Sequence, residues 1–284
     1  KEKILMNFNN ECPICKKSKY LKNINWANYI VKQCTNCGLD YCAEMNEKEI
    51  GGDSSPVHLE GIEMMANSYF NTYELAFHYA KSRKVYLESH YRKFFNSVLE
   101  VGCGPGVFYK AWSGLGVKWR GIDINPYWSE FGKINNIPIE SDSIDNISSR
   151  FDLIMAYQVI EHVEDPIVFM NSMIERLKPG GIIHLELPNH DGLTSRFRKI
   201  SSKISHDYGF IQPPMHLRAY RKKTLEFLFN ILELRNSQVF SCNNTDSKWG
   251  QVRNYKFTQK LLYKVTGFLG AGSLLIAIGQ KEGT

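Results

Sequence analysis

The stretch Ser97-Val-Leu-Glu-Val-Gly-Cys-Gly-Pro-Gly106 decides the fold. A short apolar run hands over to Gly102, Gly104 and Gly106 in the pattern G-x-G-x-G, and a helical pattern follows to Gly116. Sparse side chains between strand and helix let a ligand approach bare backbone, and the helix start offers free N–H groups. The spacing is not the G-x-G-x-x-G of dinucleotide sites, which argues against nicotinamide cofactors. Asp123 lies 17 residues beyond Gly106, at the end of a second strand pattern. A carboxylate there can accept both hydroxyls of a ribose. The alternative reading of Asp123 is a turn or cap before Pro126.

Working outward, strand and helix patterns alternate. Val117–Asn125 reads as a strand, and Pro126 opens a helix. Ile137–Glu140 is a short strand, and Phe151–Tyr157 is the continuous apolar run of a strand buried on both faces. A helix from Pro166 is expected to stop at Pro179-Gly180-Gly181. The strand Ile182–Asn189, the helix Lys222–Glu233 and the strands Leu234–Phe240 and Ser273–Gln280 complete the series. Such alternation predicts an open parallel α/β sheet covered on both sides. Before it, the proline-free stretch Glu60–Phe95 reads as helix, with Tyr69, Tyr73, Phe77 and Ala80 on one face. That stripe reads as packing, though one tyrosine could reach a ligand at the domain junction.

Seven cysteines are present, and four fall in two close pairs, Cys12/Cys15 and Cys34/Cys37, with 18 residues between the pairs. Each pair points two thiolates at one centre, and the intervening residues suit a hairpin. Four soft ligands predict a closed, structural zinc site, in keeping with a reducing cytoplasm. Cys42, Cys103 and Cys242 read as packing residues. A nucleic-acid-binding finger is the weaker alternative.

Composition is that of an ordinary globular protein, 43% hydrophobic and 23% charged. The polar N-terminus does not read as a signal peptide, and Val265–Gly279, with four glycines in 15 residues, is too short for a membrane span. The net charge is +6, and residues 189–223 alone carry that excess: eight Lys/Arg against Asp191 and Asp207. This segment is a solvated loop or a rim for an anionic ligand. Its length, without strong periodicity, fits a lid at the carboxyl edge of the sheet.

Taken together, "LEVGCGPG", "GIDIN", "FDLIMAYQVIEHVEDP" and "LKPGG" resemble the class I S-adenosylmethionine-dependent methyltransferases, over about residues 97–240. The resemblance implies a Rossmann-like seven-stranded sheet of order 3-2-1-4-5-7-6 with strand 7 antiparallel. It divides the chain into a zinc ribbon (1–45), a helical cap (46–95) and a methyltransferase domain (96–284) with residues 189–220 inserted as an acceptor lid. It implies that Glu100, Gly102, Cys103, Gly104 and Gly106 face the methionine part of S-adenosylmethionine. Asp123 and Ile124 would meet the ribose, Asp142 or Ser143 the adenine, and Tyr157 and Gln158 the sulfonium methyl.

"VIEHVEDP" and the later "PPMHLRAY" are similar to the branch acting on small molecules: quinone precursors, sugars and natural products. No Asn/Asp-Pro-Pro-aromatic motif follows the fourth strand, unlike nucleic-acid amino-methyltransferases. A zinc-binding N-terminus is similar to sugar C-methyltransferases, but their additional C-terminal domain has no counterpart in these 284 residues. O- or N-methylation of a small anionic acceptor is therefore expected. Ubiquinone O-methyltransferases place a Glu-x-x-Glu-His metal set here; Gln158-x-x-Glu161-His162 lacks the first carboxylate, which argues against a magnesium site. His162 and His216, and less so His190, are candidate bases, with Tyr157 positioning the methyl group. The rival readings are an RNA methyltransferase that grips its substrate with the zinc ribbon and a cofactor-binding protein without catalysis.

Overall fold

A computed structural model describes residues 3–5, 11–19, 21–26, 29–46, 62–67, 73–205, 208–211, 216–243 and 271–283. Tyr69, Pro213, Pro214 and residues 244–270, with most of the glycine-rich approach to the last strand, lie outside the described residues. The first strands are β1 (Lys3–Leu5), β2 (Leu21–Trp26), β3 (Tyr29–Cys34) and β4 (Asp40–Asn46). Helix α1 (Tyr73–Tyr91) follows, then β5 (Ser97–Val101), α2 (Tyr109–Gly114) and β6 (Lys118–Asp123). Next come α3 (Pro126–Asn135), β7 (Ile139–Ser141), β8 (Phe151–Tyr157), α4 (Pro166–Glu175) and β9 (Leu177–Pro188). The chain continues through α5 (Leu193–Ser205), β10 (Arg218–Ala219), α6 (Lys222–Ile231), β11 (Arg235–Cys242) and β12 (Leu274–Gln280).

The large sheet runs β7-β6-β5-β8-β9-β12-β11. Counted along the chain from β5, this is the expected order 3-2-1-4-5-7-6. Only β12 opposes its neighbours, pairing antiparallel with β9 and β11. β8 is buried along nearly its whole length, because helices cover both faces. One face packs Val98, Leu153, Met155 and Ile276 against α1 to α3, where Ala80, Trp112 and Trp128 are buried. The other packs Leu99, Ile154, Leu185 and Leu275 against Met170 and Met173 of α4 and Leu225 and Phe229 of α6.

Several elements differ from expectation: the helix read over Glu60–Phe95 is α1 only over Tyr73–Tyr91, with residues 62–67 also helical, and the segment read as lacking periodicity carries α5. The helix from Pro166 ends at Glu175 rather than at the Pro-Gly-Gly, and β9 already begins at Leu177. Leu177 pairs with Phe151, and the register between β8 and β9 shifts before Leu153, so Pro179 and Gly180 sit in a strand irregularity. Helix α2 starts at Tyr109, because turns occupy the residues from Gly104 onward.

The N-terminal strands form a second sheet, β1-β4-β3-β2, with β10 added to β4. The expected hairpin between the cysteine pairs is β2–β3. One face of this sheet merges with the large core through Leu39, Tyr41 and Ala43. The other, with Val31 and Cys42, packs on Ile211, Leu217 and Ala219. The far half of the 189–220 segment is thus sewn into the N-terminal sheet.

Candidate functional site

At the carboxyl end of β5 the chain turns through Gly102 (φ +65°), Gly104 (φ +51°) and Gly106 (φ +69°). Protein packing accounts for two of these bare positions. A Cβ on Gly102 would lie 2.5 Å from Val159, and one on Gly106 would lie 2.9 Å from Ile137. At Gly104 the nearest side-chain atom is 4.0 Å away, so its backbone is bared without a close protein neighbour. The Asp123 carboxylate holds the turn: Gly104 N–H donates to it at 2.9 Å and Asn125 N–H at 3.0 Å. Burial raises the Asp123 pKa above the ordinary carboxylate value, against the pull of those two N–H groups.

A cavity of about 660 Å³ opens here, with Gly102, Asp123, Ile124, Asp142, Ser143 and His162 in its lining. Val159 and Phe169 line it too, as do Glu11, Cys12, Pro13 and Lys16 of the first cysteine pair. The structure therefore gathers six of the expected cofactor and catalytic residues, and Cys12 of the expected metal set, around one space. Glu100, Cys103, Gly104, Gly106, Tyr157, Gln158 and His216 are not in its lining.

Several of these have engagements of their own. Glu100 is buried and accepts a hydrogen bond from Trp119 Nε1 at 2.8 Å. Burial pushes its pKa up to about 8, so it packs as a neutral acid behind the turn. Cys103 is buried in the core cluster on that side of the sheet. The Tyr157 hydroxyl is 3.1 Å from His184 Nδ1, and its ring meets Tyr79 and Phe108 edge-on. His184 lies 2.9 Å from Glu186, which pairs with the fully buried Arg83 of α1 at 2.7 Å. Burial works against the charge on Glu186, yet Arg83 and His184 hold its pKa down at about 2. The Arg83 guanidinium lies 3.8 Å from the Tyr79 ring centre, so α1 supplies a tyrosine beside Tyr157. Gln158 has left-handed backbone, φ 56°, where its N–H donates to Glu186 O at 2.8 Å.

His162 and His216 come together, with ring centres 4.7 Å apart. His216 Nδ1 lies 3.1 Å from Phe210 O; donation to that carbonyl puts the proton on Nδ1 and makes Nε2 the basic nitrogen. Glu161 is buried beside them, and neither of its carboxylate oxygens has a hydrogen-bond partner among the described residues. Burial pushes its pKa up to about 8. One ligand atom from each of Glu161, His162 and His216 lies within 4.8 Å of the others, a group able to hold a cation without Gln158.

His190, in contrast, is fully buried away from this space. Its Nε2 is 2.9 Å from Asp40 Oδ2, and Arg221 grips the same carboxylate at 2.7 and 2.8 Å. Burial works to raise the Asp40 pKa, but His190 and Arg221 outweigh it and hold it well below the usual carboxylate range. Arg218 is buried as well and donates to Glu164 O. Two of the eight basic residues in the 189–223 segment are therefore interior struts, which fits neither a fully solvated loop nor a rim made of all eight. Arg196 is exposed, and Arg198 and Lys199 are half-buried beside it on α5.

The four cysteine sulfurs also converge, with Cys12 Sγ 3.4 Å from Cys37 Sγ and Cys15 Sγ 3.5 Å from Cys34 Sγ. All four lie within 4.8 Å of one another, spacing that suits a tetrahedral metal with sulfur ligands at ~2.3 Å.

Sequence reasoning missed the wall formed by Glu11, Pro13 and Lys16 and the Arg83–Glu186–His184 network. Polar His184 and Glu186 in an otherwise apolar strand were a visible signal for the second. Nothing in the sequence singled out Lys16.

Residues 73–238 match the model of a methyltransferase domain family. The ubiquinone biosynthesis O-methyltransferase of Bartonella tribocorum is 25% identical over 184 residues, covering 59% of this chain and 72% of that protein. The protein of the same description from Nitrosospira multiformis is 25% identical over 160 residues, covering 50% and 67%. Among solved structures, the plantazolicin methyltransferase BpumL in complex with SAH shares the fold with a TM-score of 0.56. Its identity is 18%, over 81% of this chain and 91% of that one. With the glycine turn, the strand order and the family match in agreement, the chain belongs to the methyltransferase domain family and is an S-adenosylmethionine-dependent methyltransferase.

Proposed function

We propose that this enzyme methylates an oxygen or nitrogen of a small acceptor carrying phosphate or carboxylate, and that its four cysteines hold a structural zinc. The observation that carries the reading is the cavity that places Asp123 and the Gly102 turn together with His162, with His216 against it. The O-methyltransferase relatives support oxygen as the acceptor atom. The convergence of four thiols supports zinc.

Asp123 accepts the ribose hydroxyls, while Asp142 and Ser143 border the base. Gly102 and Gly104 leave their main chain open on the methionine side. S-adenosylmethionine bound there supplies an already activated methyl group, so placement of the acceptor accounts for most of the catalysis. With that cofactor in place, His216 Nε2, or His162 beside it, would take the proton of an acceptor hydroxyl as its oxygen receives the methyl group. Tyr157, with its hydroxyl at His184, acts through its ring rather than as a base. The first half of the 189–220 segment, α5 with Arg196, Arg198 and Lys199, covers the acceptor and meets its anionic group. Burial of Arg218 and Arg221 removes two charges from any continuous basic face and so disfavours the RNA reading.

Calorimetry with S-adenosylhomocysteine, paired with labelled methyl transfer into cell extract, tests the reading. The zinc-loaded enzyme is expected to bind, and Asp123→Ala to bind roughly 10- to 100-fold more weakly. The extract should yield a labelled small molecule whose formation His216→Ala slows. No binding by the zinc-loaded enzyme, or label found only in RNA, overturns it.

A further inference from the structure

Part of the cavity wall comes from outside the methyltransferase sheet. Glu11, Cys12, Pro13 and Lys16 line the same space as Asp123, Asp142 and Ser143. These four residues belong to the turn that presents the first cysteine pair. Lys16 N–H donates to Cys12 O at 2.9 Å, closing the turn, and Lys16 itself is left-handed with φ 54°. The backbone that aims Cys12 and Cys15 at their partners is therefore the backbone that sets Pro13 and Lys16 on the cavity. Cys12 is fully buried, and Ile14 is in the core shared with the large sheet.

The facing loop is tied to the same module. Lys16 Nζ is 3.6 Å from Asp165 Oδ2, and Asp165 caps α4 by accepting from Ile167 and Val168 N–H. Both partners are half-exposed, so the ion pair itself contributes little. The stronger ties are backbone ones. Leu217 and Arg218 N–H both donate to Glu161 O at 3.1 Å, and Cys42 N–H donates to Leu217 O at 2.8 Å. The segment Val159–Asp165, which lines the cavity from the sheet side, is thus bonded through residues 217–218 to the strand after the second cysteine pair.

We infer that the first cysteine turn is a working part of the cofactor site, so that metal held by Cys12, Cys15, Cys34 and Cys37 sets the enzyme's affinity for S-adenosylmethionine and its demethylated product. This rests on the reading of the cavity as the cofactor site. With the four thiolates gathered on a metal, Pro13 and Lys16 are held as a preformed wall. Without it, that wall must be ordered by the ligand, and affinity falls by the cost of ordering. The metal acts at a distance, through chain geometry, and takes no part in methyl transfer.

The test measures binding of S-adenosylhomocysteine by calorimetry, independent of turnover. The double variant Pro13→Gly, Lys16→Ala keeps all four thiols and is compared with the wild type, both zinc-loaded and with zinc content measured. It should bind at least about threefold more weakly at unchanged zinc content. Chelated wild-type protein should bind about tenfold more weakly and recover when zinc is restored. A double variant that binds within threefold of wild type at full zinc content overturns the inference, whatever chelation does to the fold. Failure of the zinc-loaded wild type to bind at all, or equal binding by Asp123→Ala, strikes the reading of the cavity instead.

Discussion

The two sheets of this molecule are built on different physics. The seven-stranded sheet buries apolar side chains on both faces: β8 alone places Phe151, Leu153, Ile154, Met155 and Ala156 inside. Among the described residues, the N-terminal sheet buries chiefly Val31, Cys34, Leu39, Tyr41, Cys42 and Ala43. It is held instead by convergent thiols, by the Asp40–Arg221–His190 cluster and by the strand β10 borrowed from far along the chain. A small sheet that cannot bury enough surface to offset its conformational entropy needs such staples. Because those staples reach into the methyltransferase domain, stability of the small sheet and shape of the cavity become one property.

The most severe break in that comparison is Asp40→Ala. It leaves His190 buried without its carboxylate and Arg221 with the Asp191 carboxylate alone, and should cost about 3 kcal/mol. Hydrogen exchange should show protection lost first in β3, β4 and β10, with β5, β8 and β9 still protected. Uniform loss across both sheets would mean that they unfold as one unit. Truncating Ile154→Ala in the large sheet makes the contrasting case, since it should weaken protection everywhere.

A smaller effect is expected from Glu100, a staple of the large sheet that works as a neutral acid. Burial pushes its pKa up to about 8, above the ordinary carboxyl value of 4.5, so between the two the folded state holds a proton that the unfolded chain has released. The stabilisation is complete below pH ~4.5 and is lost as pH rises to about 8, on the order of a few kcal/mol over the window. Glu161 shifts the same way. Thermal melts of the wild type should fall across this range, and Glu100→Gln, which still offers Trp119 an acceptor oxygen, should flatten part of the slope. An unchanged slope would place the pH dependence elsewhere.

The smallest effect is reserved for two charges of α5, the exposed Arg196 and the half-buried Arg198. Arg196→Ala with Arg198→Ala should raise the acceptor KM roughly three- to tenfold and leave S-adenosylhomocysteine affinity and melting temperature alone. An unchanged KM would remove α5 from acceptor binding.

Much of this was legible in the chain. G-x-G-x-G with Asp123 placed the turn and its acidic partner, because backbone conformation and strand ends leave local signatures. The pairing of cysteines announced a common centre, because thiolate spacing is itself local. Strand order followed from the motifs in sequence. The roles of individual polar side chains were not legible in the same way. His190 looked like a possible base and is a strut to Asp40; Glu100 sat beside the glycines and points to Trp119; Arg218 and Arg221 counted as surface charge and are interior. In each case the deciding partner sits on another element of the fold.

Sequence alone therefore determined the class of sheet, the glycine turn with its acidic partner and the four converging thiols, all of which depend on patterns within a few turns of backbone. Tertiary structure alone decided that the cysteine turn would wall the cavity, that His162 and His216 would meet across 54 residues, and which charges would be buried. Direction and desolvation of a side chain are set by what packs against it, and that neighbour is chosen by the whole fold.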